Sequence, residues 1–149
     1  MTIATILARK GPHVVTVRPE QSIREALGLL AERNIGALVV IDVLTRPVGI
    51  LSERDIVRAA AHDEQVFACS VSSIMTHDVI LGAPHDDLDS VGHTMTERRI
   101  RHLPIVEEGR LVGMISIGDI VKAQRDRYLG EVDTLQTQLI AGAEKLPGR

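Results

Sequence analysis

Two short motifs in this 149-residue sequence carry side chains that could bind a small molecule. In each motif an aspartate follows a serine three residues later: Asp55 follows Ser52, and Asp119 follows Ser116. Both serines stand where an apolar strand is predicted to end and a helix to begin. Such a serine offers a hydroxyl, free backbone amides and the positive end of a helix dipole, all of which suit a phosphate. The aspartate can accept hydrogen bonds from both hydroxyls of a ribose.

The same spacing also has a purely structural interpretation. Ser-x-x-Asp is a capping box, in which the two side chains satisfy the first free amides of a helix. The spacing alone favours this interpretation. The recurrence of the motif does not decide between the two, because both helices need a cap.

Arginines near the motifs are candidates for phosphate contact, since a guanidinium group matches phosphate oxygens bidentately. Arg54 and Arg101 lie at strand-to-helix edges, and we favour these two. We expect Arg98 and Arg99 to be solvated surface charges. Gly118 stands in the second motif where the first has Arg54, so the two candidate sites are chemically unequal.

Catalysis and metal binding find little support in the residue pattern. A hydrolase would use Ser52 with Asp55 and a histidine, but no Gly-x-Ser-x-Gly elbow surrounds that serine. There is also no P-loop and no Gly-x-Gly-x-x-Gly. The histidines lack metal-ligand spacing, and Cys69 lies outside any ligand cluster. The histidines are His13, His62, His77, His85, His93 and His102. We therefore predict no catalytic residue and no metal site.

The motifs are parts of an internal repeat. When the chain is shifted by 64 positions, residues 48–59 lie over residues 112–123, and seven of the twelve pairs are identical. Upstream the shift becomes 65, which places residues 32–35 over residues 97–100. The extra residue falls in a predicted hairpin connection, where a one-residue change in length is tolerated.

Each copy predicts the element order β-α-β-β-α. The predicted strands are 14–17, 37–41 and 48–51 in the first copy, and 79–81, 103–106 and 111–115 in the second. The predicted helices begin at Ser22, Glu53, Asp86-Asp87 and Ile117. The first helix has a capping-box start and an apolar stripe of Ile23, Ala26, Leu27, Leu30 and Ala31.

Continuous apolar strands alternating with helices predict an α/β fold with sheets covered by helices. One copy of about 60 residues buries little surface alone, so we expect the two to pack around a pseudo-two-fold axis with a ligand cleft between them. The last helix is predicted to continue to about Ala141. Its apolar seam of Tyr128, Val132, Leu135 and Leu139 indicates a dimerising or partner-docking surface, unless the helix folds back on its own module.

The repeated motifs resemble the CBS domain, and the chain resembles a stand-alone tandem CBS pair, or Bateman module. Residues 49–55 and 113–119 match the family's Gly-hydrophobic-x-Ser/Thr-x-x-Asp signature, and residues 71–76 and 101–106 are also similar to the family. The resemblance covers roughly residues 5 to 124. It predicts repeats at 8–62 and 77–124, a linker at 63–76, and a C-terminal helix and tail at 125–149.

The resemblance implies a regulatory module without a catalytic cofactor that binds an adenosine-containing ligand: AMP, ADP, ATP, S-adenosylmethionine or, in some members, NAD. Ribose and phosphate would be held by Ser52, Arg54, Asp55, Arg101, Ser116, Gly118 and Asp119. The adenine would lie among Val15, Ile35, Ala37, Ile50, Met75, Ile80, Ile100, His102 and Met114. For the aliphatic members of this set, an ordinary core position is the alternative.

Composition argues against several classes of protein. A net charge of −3, with no Trp, one Tyr and one Phe, argues against a nucleic-acid binder. No stretch approaches the roughly 20 apolar residues that span a bilayer, and no cationic region precedes the first apolar run as in a signal peptide. We expect a cytoplasmic homodimer that signals to a separate effector protein. The rival hypothesis is a structural or interaction protein whose clefts stay empty.

Overall fold

The structure, a computed structural model, describes residues 1–11 and 13–144, so the predicted tail beyond residue 144 lies outside the described residues. The elements follow in the order α1 (Ile3–Lys10), β1 (Thr16–Val17), α2 (Ile23–Arg33), β2 (Ala37–Ile41), β3 (Pro47–Ser52), α3 (Glu53–His62), α4 (Leu88–Glu97), β4 (His102–Glu107), β5 (Arg110–Ser116) and α5 (Ile117–Glu144). The predicted α/β fold with tandem repeats and a C-terminal helix is confirmed.

The first repeat is built on a three-stranded sheet in the order β1-β2-β3. β1 runs parallel to β2, and β3 is antiparallel to it. The predicted first strand is shortened to two residues. On α2 the buried residues are Ile23, Ala26 and Leu30. Leu27 and Ala31 were expected in this stripe but are exposed, because each lies further around the helix at about 100° per residue.

The second repeat has a two-stranded sheet of β4 and β5. The prediction of a strand at residues 79–81 is wrong. The pairing of this segment is reduced to a single bridge at Gly82, whose amide donates to the Pro104 carbonyl at 2.9 Å and whose carbonyl accepts from the Val106 amide at 2.9 Å. The β4–β5 hairpin turns at Glu108 and Gly109, both with positive φ, as a two-residue hairpin turn requires.

The N-terminal helix α1 was not predicted, and it belongs to the second repeat. Ile3 and Ile6 are buried in the core of that repeat, beside β5 and α4. The amides of Ile3 and Ala4 donate to carbonyls of residues 86 and 84, at 3.0 and 2.7 Å. The first ten residues of the chain therefore complete the more distant of the two repeats.

The segment between the repeats completes the first repeat in the same way. It forms two 3₁₀ turns, Glu64–Ala68 and Val71–Ser73. Val71 and Met75 are buried in the core of the first repeat. The backbone of Thr76 then pairs with Ile50 of β3. The predicted linker is thus part of a packed core.

The last helix, α5, leaves the core after its second turn. Ile120 and Ala123 are buried, and Arg127 pairs with Asp89 of α4 at 2.9 Å. Tyr128, Leu135 and Leu139 of the predicted seam are exposed. Within residues 1–11 and 13–144, no helix combines the length and the apolar character needed to cross a membrane.

Candidate functional site

The main candidate site is a cleft of about 360 Å³ between the two repeats. The first repeat contributes the end of β3 and the start of α3, which carry the first Ser-x-x-Asp motif. The second repeat contributes the segment before α4 and the approach to β4. The lining residues are Gly36, Ile50, Ser52, Glu53, Arg54, Asp55, Thr76, Asp78, Val79, Ile80, Arg99, Ile100, Arg101 and His102.

The first motif is a complete capping box at the N-terminus of α3. The Ser52 amide donates to Oδ2 of Asp55 at 2.9 Å, and the Asp55 amide donates to Oγ of Ser52 at 3.2 Å. The Glu53 amide donates to the Gly36 carbonyl. The cap that the spacing indicated is therefore formed through Oδ2, and Oδ1 of Asp55, a residue that lines the cleft, accepts no hydrogen bond from the described residues.

The wall that the second repeat contributes includes aliphatic side chains and His102. Ile80 and Ile100 are partly buried and pack on the core of the second repeat. Burial lowers the pKa of His102, and the charges of Lys10 and Arg101 lower it further, against an opposing effect of Asp119. A neutral imidazole beside aliphatic side chains makes this wall suitable for a flat, weakly polar group.

Charged side chains of both signs line the rim of the cleft. Arg54, Arg99 and Arg101 provide the positive charges, while Glu53, Asp55 and Asp78 provide the negative ones. Arg99 was expected to be a solvated surface charge. It lines the cleft because the chain leaves α4 through a left-handed residue, Arg99 itself, with φ 54°.

Half of the residues proposed from the sequence line the cleft. These are Ser52, Arg54, Asp55, Arg101, Ile50, Ile80, Ile100 and His102. The other half do not: Val15, Ile35, Ala37, Met75, Met114, Ser116, Gly118 and Asp119. Met75 is buried in the first core, against which Val15 and Ile35 pack, and Ala37 is fully buried outside that cluster.

Sequence reasoning missed six of the lining residues, most of them in connections between elements. These are Gly36, Glu53, Thr76, Asp78, Val79 and Arg99. A usable signal was present for one group: residues 71–76 lie over residues 3–8 at a shift of 68, with an apolar residue at the first, fourth and fifth positions. That match would have placed the predicted linker inside the repeat.

The second motif forms the same capping bonds but has an additional partner. The Ser116 amide donates to Oδ2 of Asp119 at 2.8 Å, and the Asp119 amide donates to Oγ of Ser116 at 3.1 Å. Lys10 of α1 also donates from Nζ to Oδ2 of Asp119 at 2.7 Å and to the Met114 carbonyl at 2.9 Å.

The pKa of Asp119 reflects this partner. Burial acts to raise the pKa, but the hydrogen bonds and charge of Lys10, with the Ser116 bonds, outweigh burial and lower it. A groove of about 210 Å³ between α1 and α5 borders Asp119, and Lys10 is part of its lining.

No metal centre accompanies these sites in the described part of the chain. Across residues 1–11 and 13–144, no three side chains from His, Cys, Asp and Glu are grouped to hold an ion. Cys69, the one cysteine, is exposed in the segment between the repeats.

Comparison with known sequences finds the pattern of the CBS domain twice, at residues 7–62 and 71–126. The CBS domain-containing protein YhcV of Bacillus subtilis is 34% identical over 114 residues, which are 75% of this chain and 79% of that protein.

Solved structures give the same result. The CBS-domain containing protein ATU1752 of Agrobacterium tumefaciens superposes with a TM-score of 0.79 at 44% identity, over 83% of this chain and 99% of that one. The CBS domain pair of protein MJ0100, solved in complex with 5′-methylthioadenosine and S-adenosyl-L-methionine, superposes with a TM-score of 0.75 at 26% identity. That match covers 85% of this chain and 98% of the other.

Proposed function

Since the chain belongs to the CBS-domain family, we propose that it is a non-catalytic regulatory module that binds an adenosine-containing ligand. The binding site is the cleft between the two repeats. The observation that carries the proposal is the position of Asp55, which lines a cleft of about 360 Å³ together with three arginines. This volume falls within the range of roughly 300–1,000 Å³ of small-molecule sites.

The cleft offers a separate kind of contact for each part of an adenosine nucleotide: the ribose, the phosphate and the adenine. The free oxygen of Asp55 can accept hydrogen bonds from ribose hydroxyls. Arg99 and Arg101 approach from the second repeat and can hold phosphate oxygens bidentately. Ile80 and Ile100 provide an apolar surface for the adenine ring. The arginines favour phosphorylated ligands, AMP, ADP or ATP, and NAD carries the same adenosine phosphate.

The rival function is a structural or interaction module in which the two aspartates only cap helices. Both aspartates do cap helices, so the caps alone do not separate the hypotheses. A helix cap, however, has no need of aliphatic side chains and two arginines from the other repeat in the same cleft. The MJ0100 pair, which has the same fold, was solved with two adenosine-containing molecules. Both observations support ligand binding.

We also propose that the module is a homodimer joined through α5. Residues 128–144 of this helix extend for about 25 Å at 1.5 Å per residue. An isolated helix of this length is marginal in water, so packing must stabilise it. Tyr128, Leu135 and Leu139 are exposed by 64%, 58% and 74% and form an apolar stripe that a second copy of the same helix would cover.

The ligand proposal is tested by a thermal-shift screen of nucleotide-free protein with AMP, ADP, ATP, NAD, NADH and S-adenosylmethionine. A ligand at 100 times its Kd stabilises the folded state by about 2.7 kcal/mol, so at least one compound should raise the Tm by several degrees. Guanosine and cytidine nucleotides serve as controls. If no adenosine compound changes the Tm, the protein is not an adenosine sensor.

A further inference from the structure

Residues 3–8 and residues 71–76, which match at a shift of 68, pack in the same way on the two repeats. Met75 packs on Gly49 of β3, and Leu7 packs on Gly113 of β5 at the matching position of the other repeat. Val71 and Ile3, also matched, are both fully buried. Residues 3–8 therefore complete the core of the second repeat, as residues 71–76 complete the core of the first.

The equivalence ends just after these residues. In the first repeat the chain becomes extended, and the Thr76 amide donates to the Ile50 carbonyl at 2.9 Å. In the second repeat the chain remains helical to Lys10. The carbonyl matched to that of Ile50 is that of Met114, and it accepts Nζ of Lys10 at 2.9 Å.

The change of backbone also changes the charge at the motif. At the shift of 68, Lys10 lies over Asp78, which lines the cleft of the first motif. Lys10 is thus bonded to the aspartate of the second motif, whereas the residue at the same sequence offset in the first repeat, Asp78, carries a negative charge. The Lys10 ammonium lies 2.7 Å from Oδ2 of Asp119, and the pair is partly shielded, with the Asp119 side chain 24% exposed.

We propose that Lys10 keeps the second motif closed to adenosine ligands, so that each chain binds one molecule, in the cleft of the first motif. The inference rests on the function proposed above. Lys10 bonds the carboxylate that would receive ribose hydroxyls and also satisfies the nearby carbonyl. A nucleotide that displaces the ammonium must break both bonds, and AMP, ADP and ATP bring no cation to replace it.

The test is the stoichiometry of binding, measured by calorimetry with AMP, ADP and ATP in turn. The variants are Lys10→Ala, which removes the cation, and Lys10→Arg, which keeps it. Two double variants, Lys10→Ala with Asp55→Asn and Lys10→Ala with Asp119→Asn, assign each binding event to one motif. Lys10→Gln keeps the side-chain length without the charge, and it replaces Lys10→Ala if that variant does not fold.

We expect one molecule per chain for the wild type and Lys10→Arg, and two for Lys10→Ala. The second event should be lost with Asp119→Asn and kept with Asp55→Asn. Two molecules in the wild type, or one in Lys10→Ala, would overturn the role of Lys10 while leaving the cleft proposal intact. If a ligand binds only when Lys10 is replaced by alanine, and this binding is lost with Asp119→Asn, the role of Lys10 is supported and the cleft proposal is contradicted. No binding to any variant would overturn both.

Discussion

The sulfur of Met75 lies against the α-carbon of Gly49, so a Cβ added to that glycine would be 2.5 Å from Sδ and 3.0 Å from the Thr76 carbonyl oxygen. Gly49 belongs to β3, and Met75 belongs to the segment between the repeats. The glycine is required because this segment crosses the strand at van der Waals distance. The contact makes the segment part of the first core and leads it to the edge of the cleft.

Gly49→Ala should therefore destabilise the protein. An added methyl group in a filled core typically costs about 1–3 kcal/mol, and here the Thr76 backbone limits how far Met75 can retreat. The measurement is the free energy of unfolding in urea. Gly28→Ala is the matched control, because Gly28 lies within α2 with open space around its α-carbon. That control should be stabilised by about 0.5–1 kcal/mol, and equal stabilities of the two variants would contradict the packing described here.

Most of the framework could be predicted from the sequence because its signals are local. β2 was predicted at its observed bounds, since an apolar run there lies between turn-forming residues. Asp87 caps α4 through the Ser90 amide, as the acidic pair before that helix indicated. Both Ser-x-x-Asp motifs form the caps that their spacing allows. Each of these features depends on residues that are neighbours in the chain.

The missed features depend on partners distant in the chain. No side-chain cap marks the start of α1 at Thr2, and its packing partners lie in the second repeat, far along the chain. Nothing near Lys10 in the sequence indicates Asp119. Arg99 lines the cleft only because of a left-handed turn after α4. Eight of the fourteen lining residues could therefore be predicted: three belong to the first motif, Ile50 to the strand before it, and the others are Ile80 and residues 100–102.

Asp55→Asn should weaken binding of the adenosine ligand by roughly ten- to a hundred-fold. The amide keeps the shape of the side chain but lacks the charge, and a hydrogen bond to a charged group contributes about 1.5–3 kcal/mol. The amide oxygen can still accept from the Ser52 amide, so stability should fall by only about 1 kcal/mol or less. Affinity is measured by calorimetry and stability by urea titration.

Asp119→Asn is the control for this variant, since Asp119 has the same capping bonds and is paired with Lys10. Its stability should fall, while its affinity for the ligand should match that of the wild type. Equal losses of affinity in the two variants would mean that both motifs bind ligand. Unchanged affinity in both would remove Asp55 from the site.

His102 should make the protein less stable as the pH falls below the usual histidine pKa of about 6.5. Burial, with Lys10 and Arg101, lowers its pKa in the folded state from the usual value near 6.5. Between that value and the lower folded one, the unfolded chain binds a proton that the folded chain does not, so acidification favours unfolding. Urea titrations at pH 7.5 and 5.5 measure the effect.

In His102→Gln the stability difference between the two pH values should be smaller than in the wild type. His93→Gln, at an exposed position on α4, controls for the loss of a histidine as such. A ring-proton NMR titration, assigned with the same variant, measures the pKa of His102 directly. A value at or above 6.5 would contradict the burial of this ring in the cleft wall.

Removal of residues 128–149 should convert a dimer into a monomer without unfolding the module. The cut preserves Ala123, which is buried, and Arg127, which pairs with Asp89. Light scattering should give twice the chain mass for the full protein and a single chain mass for the truncated one. Circular dichroism of the truncated protein should show an unchanged cooperative transition, because residues 128–142 belong to neither core cluster.

Point variants show whether dimerisation depends on the apolar stripe of α5 or only on the length of this helix. Leu135→Glu with Leu139→Glu places two charges on the stripe and should abolish dimerisation, since burying unpaired carboxylates is strongly unfavourable. Thr134→Glu with Thr137→Glu adds the same two charges on the other side of α5, at about 100° per residue, and should leave the dimer intact. If both pairs leave the mass doubled, the copies associate through another surface. If the full protein has the mass of one chain at high concentration, the stripe of α5 is not a self-association surface.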